Sequence, residues 1–383
     1  MNRLSLKNIF LTSIITSVTI AAILLFPACH SIEKWESDPQ GNFDALWTIL
    51  DEHYCFFEDK NIDWNDIYAS YRSKVKKEME ADEFFNLCAE MLATLRDGHV
   101  NLSSPFNTSY YRKWWSDYPQ NFNKRLIEEH YLNFDYAAAG GVIYKELPGR
   151  NVGYMRYSSF SGGIGETMLD MMLYGFRETD GLIIDIRDNG GGNMTNVEKL
   201  ASRFLAERTL AGYISHKTGP GHNDFSEPFA YYFEPSKRVR WFKPVIVLTN
   251  RSTFSAANNF VSVMQYLPQV LIVGAHTGGG SGMPYTSEIP CGWSVRMSAS
   301  PVYDRNMNTT EQGIAPSAGC AIDLDPEAEA QGIDTMLEFA IILLNRLAQE
   351  NKPDESDRGS RSVGAMCDVG NPSAPVQIKA LSF

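Results

Sequence analysis

The feature that most constrains the fold is an alternation of strand-like and helix-like segments that begins at Val152. The strand-like segments are short, continuous apolar runs, and the helix-like segments repeat apolar residues every three or four positions. The predicted elements are the strand Val152 to Tyr157, a helix near Glu166 to Phe176, the strand Leu182 to Ile186, a helix from about Thr195 to Leu205, the strand Val245 to Thr249, a helix that opens near Ser255, the strand Val270 to Val273 and a helix Pro326 to Leu347. This alternation predicts an α/β core with a largely parallel sheet over residues 151–350.

The segment before this core has a different period. Between residues 40 and 98 apolar residues recur at helical spacing in three stretches, the second preceded by Asp63, which fits an N-cap, and the third followed by Gly98, which fits a C-cap. We therefore predict a small N-terminal helical domain over residues 29–100. A side chain just past a helix cap, such as that of His99, is not expected to lie in the core.

Two further segments lack a clear period. Residues 101–150 are rich in aromatic side chains and are predicted to be a linker region that contains some strand. Residues 351–383 are rich in Ser, Gly, Pro and charged residues, a composition that predicts a disordered tail.

The first residues have the pattern of a targeting signal. Arg3 and Lys7 precede an apolar run from Ile9 to Phe26, and the run ends shortly before Cys29. The pattern resembles a bacterial lipoprotein signal, in which residues 1–28 are removed and Cys29 is acylated; the alternative is an uncleaved transmembrane anchor. Both interpretations predict an exported chain that is held on a membrane, with the rest of the chain in the periplasm or at the cell surface.

Charge restricts the partners. The chain has 34 Lys and Arg residues against 46 Asp and Glu residues, a net charge of −12, which argues against binding nucleic acid through a basic face. We therefore expect a peptide, a protein or a small molecule as the partner and no nucleic acid.

Cysteine and histidine spacing gives little support for a metal or a disulfide framework. The cysteines after Cys29 form no CxxC pair, which favours free buried thiols, with a Cys291–Cys320 bridge as the alternative. His216 and His222 flank a Gly-Pro-Gly turn near Asp224, but a third ligand with zinc-like spacing is missing from the sequence. Neither a metal nor a cofactor is expected.

Two predicted strand ends carry residues that could do chemistry. The strand Leu182 to Ile186 leads into Asp185-Ile-Arg-Asp-Asn-Gly-Gly-Gly-Asn193 and then a helix, so backbone N–H groups are exposed at a helix N-terminus. This pattern fits an anion or oxyanion site, a simple tight turn, or a phosphate or nucleotide site. The phosphate-loop pattern is incomplete, because Gly192 is followed by Asn193-Met-Thr in place of Lys and Ser or Thr.

The second strand end presents a serine. The strand Val245 to Thr249 leads into Asn250-Arg-Ser-Thr-Phe-Ser-Ala-Ala-Asn-Asn259, in which small residues surround Ser255 at a helix start. Its hydroxyl can point into a cleft at the carboxyl ends of the strands. The alternative is that Ser255 only caps the helix.

Taken together, several motifs in one order resemble a known family. They are Leu95-Arg-Asp-Gly-His99, the glycine loop of Asp185 to Gly192, the segment Val247-Leu-Thr-Asn-Arg-Ser-Thr-Phe-Ser-Ala-Ala257, the segment Ile272-Val-Gly-Ala-His-Thr-Gly-Gly-Gly280, and Glu311-Gln-Gly-Ile-Ala-Pro316. The chain resembles the superfamily of C-terminal processing peptidases and tricorn-like serine peptidases over about residues 40 to 345.

The resemblance implies a ClpP/crotonase-like core and roles for several residues. Ser255 falls on the family's nucleophile, and the oxyanion hole falls on the N–H groups of Ala256 and of Gly191 or Gly192. Processing peptidases use a lysine as the base, but Gly280 stands at that position here. The tricorn-like branch uses a histidine and a glutamate, which fall on His99 and Glu311. The segment 101–150 is too short for a complete PDZ module.

The chemistry of these residues fits that branch. A serine hydroxyl needs a base that is unprotonated near neutral pH, which suits the imidazole of His99, and a carboxylate such as Glu311 can orient that imidazole. In the alternative interpretations His99 is a hydrogen-bonding loop residue and Glu311 a solvated loop charge, while Asp97 fits a turn residue better than a member of the catalytic group. The sequence therefore predicts an exported, lipid-anchored serine endopeptidase that forms an acyl-enzyme on Ser255. The alternative is an inert peptide-binding lipoprotein with the same fold.

Overall fold

The computed structural model describes residues 35–350 of the chain. The predicted signal segment 1–28, Cys29 and the predicted tail 351–383 lie outside the described residues. The helices within the described part are α1 Pro39–His53, α2 Trp64–Arg72, α3 Ala81–Ala93, α4 Lys113–Ser116, α5 Lys124–Leu126, α6 Glu166–Gly175, α7 Met194–Ala201, α8 Ala256–Met264, α9 Pro326–Glu329 and α10 Thr335–Glu350, with a π-helical turn at Ile127–Tyr131 and a 3₁₀ turn at Ser202–Phe204.

The strands form two sheets. They are β1 Asn101–Ser103, β2 Ala137–Ala139, β3 Val142–Glu146, β4 Val152–Tyr157, β5 Gly181–Asp185, β6 Thr209–Ile214, β7 Phe229–Phe233, β8 Val245–Thr249, β9 Val270–Gly274, β10 Gly282–Glu288 and β11 Ser294–Tyr303. The larger sheet has the order β2-β3-β4-β5-β8-β9, and the smaller has the order β1-β11-β6-β7 with β10 also paired to β11.

The larger sheet is the parallel core that the sequence predicts. Strands β4, β5, β8 and β9 run parallel, while β2 and β3 join them antiparallel. Every residue of β4, β5 and β8 is buried, since the helices cover both faces of the sheet. The α/β class is confirmed, and the carboxyl ends of β5 and β8 place the glycine loop and Ser255 at the same edge.

The N-terminal helices share a core with the smaller sheet. Helices α1 to α3 bury their apolar faces against one another and against Trp293, Val295 and Met297 of the β11 hairpin. The small helical region is therefore present as predicted, and its core continues into residues that lie about 200 positions later in the sequence.

The segment between the two predicted domains contributes to both sheets. The predicted linker 101–150 supplies β1 to the smaller sheet, and β2 and β3 to the edge of the larger sheet. The strands were not identified because they are short and, apart from Tyr144, the aromatic side chains of this segment lie outside them.

The last predicted helix is two helices. A single helix over Pro326 to Leu347 was predicted, but α9 and α10 are separated by a turn in which Gly332 has φ +80°. A Cβ at Gly332 would lie 2.5 Å from the ring of His130, so the turn needs a residue without a side chain.

The structure bears on the predicted alternatives of a disulfide, a metal site and a membrane-spanning helix. Cys291 is exposed, Cys320 is buried and both are free thiols, so the Cys291–Cys320 bridge is not formed. Among residues 35–350, clusters of side chains suited to a metal ion are absent. None of the helices described there is long and apolar enough to cross a bilayer.

Candidate active site

Ser255 sits on a strained turn between β8 and α8. Its backbone has φ 57° and ψ −122°, a conformation that a residue with a side chain adopts only when the surroundings enforce it. The Ser255 N–H donates to the Gly279 carbonyl at 2.8 Å, and the Phe254 N–H donates to the Asn189 carbonyl at 3.0 Å. These bonds fix the turn, and the turn presents Oγ to the cleft.

Ser255 occupies the N-cap position without acting as a side-chain cap. Its hydroxyl makes no capping bond to the first turn of α8 and lies 2.9 Å from Nε2 of His99. The alternative of a purely structural cap is therefore wrong, since the hydroxyl is paired with an imidazole 156 positions earlier in the chain.

The His99 ring is held in place from several directions. The His99 N–H donates to Oδ1 of Asp97 at 2.7 Å, which closes a tight turn after α3. The ring packs against Phe254 at 4.8 Å between centroids, and Nδ1 faces Oγ of Ser298 at 3.5 Å. If Nε2 accepts the Ser255 proton, the ring proton must lie on Nδ1, toward Ser298.

His99 is buried, contrary to the expectation for a residue just past a helix cap. Its exposed fraction is 3%, because the region that carries it docks against the smaller sheet. Burial lowers the pKa of His99 to about 4, with Asp97 opposing the shift and with Arg296 and Lys60 adding to it. The imidazole is therefore neutral at pH 7 and able to accept a proton.

Asp97 is more than a turn residue. Its Oδ2 accepts a hydrogen bond from Ser298 Oγ at 2.9 Å and another from Tyr54 Oη at 3.1 Å. Burial works to raise the pKa of Asp97, but Lys60, His99 and the hydrogen bonds hold it below its ordinary value. The Ser298 hydroxyl thus lies between Nδ1 of His99 and the ionised carboxylate of Asp97.

Glu311 occupies a different place from the one the sequence predicted. Its Oε1 is 2.9 Å from Nζ of Lys60, and its Oε2 accepts the Ser281 N–H at 2.8 Å. Within residues 35–350 the His99 ring contacts Ser255, Ser298 and Phe254, and Glu311 is not among these partners, so Glu311 does not orient the imidazole by direct contact. It is also buried, at 7% exposure, which excludes the interpretation as a solvated loop charge.

Lys60 links the two carboxylates. Its Nζ lies 3.4 Å from Asp97 and 2.9 Å from Glu311, and all three side chains are buried. Burial and the nearby charge of Asp97 raise the pKa of Glu311 to about 7, while Lys60 opposes the rise. One buried ammonium group therefore pairs with two buried carboxylates. The carboxylate of Glu311 binds a proton near neutral pH.

The predicted oxyanion donors are only partly available. The Gly191 N–H donates to Oδ1 of Asn189 at 2.9 Å and is already engaged. Within the described residues, the backbone N–H groups of Ala256 and Gly192 have no hydrogen-bond partner. Gly191 instead allows the glycine loop to lie close to the Ser255 turn. A Cβ at this position, where φ is +97°, would lie 2.8 Å from both the Ala256 nitrogen and Cβ of Ser255.

The glycine loop rests on a buried ion network. Arg187 is fully buried and bonds both Asp185, at 2.6 Å, and Asp334, at 2.8 Å. Its positive charge is paired with these two buried carboxylates, so Arg187 is not available to bind a phosphate at the glycine loop. This arrangement weighs against the phosphate or nucleotide interpretation of the loop.

The cleft around Ser255 has a volume of about 740 Å³. Residues from both sheets and from the linker region line it, among them His99, Gly191, Trp114, Met283 and Arg296. A cleft of this size accommodates several residues of an extended peptide beside the serine.

The histidines near the Gly-Pro-Gly turn do not meet at one site. His222 Nδ1 lies 2.7 Å from Asp51, whereas His216 Nδ1 lies 3.3 Å from Ser300. The carboxylate of Asp224 accepts the Gly221 N–H within its own turn. Each group has a separate local partner.

Some site residues had no signal in the sequence. Ser298 and Arg296 lie on β11, a strand that the sequence analysis did not identify, and Lys60 lies in the loop after α1. A buried lysine close to the N-terminal helices could have been suspected only once its carboxylate partners were known.

Comparisons with known proteins show the family to which this chain belongs. The family model "Peptidase family S41" matches residues 151–318, and the model "Tricorn protease C1 domain" matches residues 36–93. Among curated proteins, the carboxy-terminal processing protease CtpA of Bacillus subtilis is 23% identical over 160 residues, 42% of this chain and 32% of that protein. The carboxyl-terminal-processing protease of Synechocystis is 28% identical over 134 residues, 34% of this chain and 29% of that protein. The chain spans about a third of the length of these relatives.

Solved structures cover more of the chain. A putative peptidase from Parabacteroides merdae is 51% identical, with a TM-score of 0.77 over 81% of this chain and 97% of that one. Mature CPAF is 12% identical, with a TM-score of 0.65 over 82% of this chain and 98% of the CPAF chain. This comparison shows a similarity of fold alone.

Proposed function

This chain belongs to peptidase family S41, and from that premise we propose that it is a serine endopeptidase which hydrolyses peptide bonds through an acyl-enzyme on Ser255. The observation that carries the proposal is the 2.9 Å contact between Ser255 Oγ and His99 Nε2, on a strained turn that opens into a cleft. Nucleophile and base are within reach of each other, as acyl transfer requires.

The first step is attack on the substrate carbonyl. His99 Nε2 takes the Ser255 proton while Oγ bonds to the carbonyl carbon, and the imidazole becomes an imidazolium. The ionised Asp97, reached through the Ser298 hydroxyl, stabilises that positive charge. The negative charge that develops on the carbonyl oxygen is directed at the N–H groups of Ala256 and Gly192.

The next steps return the proton. His99 donates it to the leaving amine, the peptide bond breaks and the acyl group stays on Ser255. His99 then takes a proton from a water molecule, and the water attacks the ester to release the acid. Histidine as the base accounts for the absence of a lysine at Gly280.

The alternative of an inert peptide-binding protein is separated by burst kinetics. Mixing the enzyme with an activated ester should release about one equivalent of alcohol per active site in a fast phase, because acyl-enzyme accumulates before it is hydrolysed. The Ser255→Ala variant is the matched control. A linear release with the same slope in both proteins would support the inert binder.

We also propose that the protein is exported and held on a membrane by lipid on Cys29, facing the periplasm or the cell surface. The support is the sequence of the first 29 residues, in which two basic residues precede an apolar run that ends just before the cysteine. The Cys29→Ser variant should lose metabolic labelling by a fatty acid. Equal labelling of both proteins would contradict the anchor.

A further inference from the structure

Two cysteines lie where the helical region meets the hairpin of β10 and β11. Cys88 is buried on α3, and Cys291 is exposed in the turn that joins the two strands. Both are free thiols, and the mechanism above uses neither of them.

The ring of Trp293 packs this turn against α3. Its centroid lies 5.6 Å from that of Phe84 and 5.7 Å from that of Phe85. Cys88 follows these two residues by four and three positions, so it shares their face of the helix. Cys291 precedes Trp293 by two positions. The packing of Trp293 therefore brings the turn that carries Cys291 to the face of α3 that carries Cys88.

Hydrogen bonds fix the same turn. The Cys291 N–H donates to Oδ1 of Asn42 on α1 at 2.7 Å, and the Ile289 N–H donates to the Trp293 carbonyl at 2.9 Å. Asn42 is itself buried. The position of Cys291 relative to the helices is thus set by α1 as well as by α3.

The two thiols are close enough to interact electrostatically. Burial raises the pKa of the Cys88 thiol, and the charge of Cys291 adds to the rise. The other two cysteines within residues 35–350 have different surroundings: Cys55 interacts with the charge of Lys60, and Cys320 lies in the core between the larger sheet and α10. Cys88 and Cys291 are therefore the pair placed to react with each other.

We propose that Cys88 and Cys291 form a disulfide bond that fastens the helical region to the hairpin of β10 and β11. The oxidant is an external disulfide, that of oxidised glutathione or of a thiol oxidase, which an exported chain meets outside the cytoplasm. The inference is independent of the proposed peptidase function.

The bond forms in two exchange steps. The exposed Cys291 loses its proton, and its thiolate attacks the external disulfide, which leaves a mixed disulfide on Cys291 and releases one thiol. The Cys88 thiolate then attacks Sγ of Cys291 and releases the second thiol. The two protein thiols lose two electrons and two protons, and the external disulfide takes up both as it becomes two thiols.

The bridge would hold together two regions that meet at the active site. The helical region leads into His99, and β11 carries Ser298, which faces Nδ1 of that ring. The bridge also closes a long loop of the chain, so it restricts the unfolded state and stabilises the folded one.

Peptide mapping tests whether the bond forms. The purified full-length chain is incubated with excess oxidised glutathione, sampled over time, alkylated with iodoacetamide in denaturant and digested without reductant. Mass spectrometry should find one peptide pair linked through Cys88 and Cys291, two hydrogens lighter than its separate halves, while the alkylated forms of both cysteines decline together. A stable glutathione adduct on Cys291 beside alkylated Cys88, or a bridge from either residue to another cysteine, would overturn the inference.

Thermal unfolding tests what the bond does. The oxidised protein should have a Tm about 5 °C or more above that of the reduced protein, because the cross-link restricts the unfolded chain. Cys291→Ser replaces an exposed thiol and should fold but lose this difference. Cys55→Ser leaves both partners in place, so it is the matched control and should keep the difference.

Equal Tm values for oxidised and reduced wild-type protein, or a difference that survives Cys291→Ser, would contradict the bridge. Neither measurement depends on Ser255. Failure of the peptidase proposal would be seen separately, as wild-type protein that shows no burst with an activated ester.

Discussion

A buried imidazole can serve as a base only if its protonated form is stabilised during the reaction. His99 is neutral at pH 7 because burial lowers its pKa, and the charge it gains in the transition state must be compensated nearby. The ionised Asp97, linked to Nδ1 of the ring through Ser298, is in position to do this. In the mechanism that we propose, Ser298 and Asp97 together take the place that the sequence analysis predicted for Glu311.

Replacing Ser298 tests this assignment. Ser298→Ala removes the hydroxyl between the imidazole and Asp97, so kcat should fall about 10- to 100-fold with KM little changed. Ser300→Ala, two residues along the same strand, is the matched control. The check is steady-state kinetics on one peptide substrate at pH 7.5. A Ser298→Ala enzyme within twofold of wild type would contradict the role of the hydroxyl.

The pKa of Glu311 predicts a dependence of stability on pH. Burial first and Asp97 second raise it to about 7 from an ordinary 4.5, so the folded protein holds this proton more tightly than the unfolded chain. Its contribution is fully present below about pH 4.5 and is lost as the pH rises through 7. The Glu311→Gln variant lacks this loss, and its Tm relative to wild type should increase between pH 5 and pH 8. Curves of Tm against pH that run parallel for the two proteins would contradict the raised pKa of Glu311.

Among individual residues, those that belong to sequence motifs could be predicted as site residues. Those that join the site from a distant strand could not. Ser255 and His99 stand beside turn-forming and small residues, so their positions could be inferred. Ser298 and Arg296 stand in a strand whose polar positions look like any solvent-facing positions. Their roles depend on pairing between β11 and β1, which is a long-range contact.

At the scale of elements, the site depends on two turns that touch. The strained turn at Ser255 and the glycine loop after β5 approach so closely that Gly191 lies against the backbone of Ser255 and Ala256. Buried bonds from Asn189 and Arg187 hold the loop. A side chain at position 191 would therefore disturb the contact between the loop and the Ser255 turn.

A pair of glycine substitutions checks this contact. Gly191→Ala would place a Cβ 2.8 Å from the Ala256 nitrogen at a φ of +97°, so kcat should fall at least about 100-fold through displacement of the donor N–H. Gly190→Ala, the preceding residue, meets nothing within 4 Å and should retain most of the activity. Circular dichroism confirms that both proteins fold. Similar activity in the two variants would show that the contact is unimportant.

The positions of strands and helices could be predicted where their residues are fully buried. They were harder to predict where the residues are only partly buried. The strand Val245–Thr249 has the predicted bounds, because a fully buried parallel strand reads as one apolar run. The hairpin of β10 and β11 was missed, since its exposed residues interrupt the pattern. The break at Gly332 was missed because a single glycine does not end a helical period on its own.

At the scale of the whole molecule, the proposed base and nucleophile come from different regions. His99 follows the N-terminal helices, Ser255 follows a strand of the larger sheet, and β11 of the smaller sheet places Ser298 beside Nδ1 of His99. The helices pack their apolar faces against Trp293, Val295 and Met297. The contact between His99 and Ser255 therefore depends on the packing of the helical region against the smaller sheet.

This shared core predicts that the helical region is not stable alone. A fragment of residues 35–100 exposes the apolar face that normally packs on the β11 hairpin, so it should show little helical circular dichroism and no cooperative thermal transition. The fragment 35–350 is the control. A cooperative transition in the short fragment would show that the region is an independent domain.

Labelling with a fluorophosphonate, followed by peptide mapping and repeated across pH, tests whether Ser255 is a nucleophile activated by His99. We expect an adduct on Ser255, because Oγ attacks the phosphorus while an oxygen of the probe takes the oxyanion position. Labelling should need neutral His99, whose pKa is lowered by burial to about 4. The rate should therefore hold well below the ordinary histidine range of about 6.5, fall only as the pH approaches 4, and be abolished by His99→Ala. An adduct on Ser252 or Ser281, or no adduct on folded protein at pH 7.5, would contradict the role of Ser255 as the nucleophile.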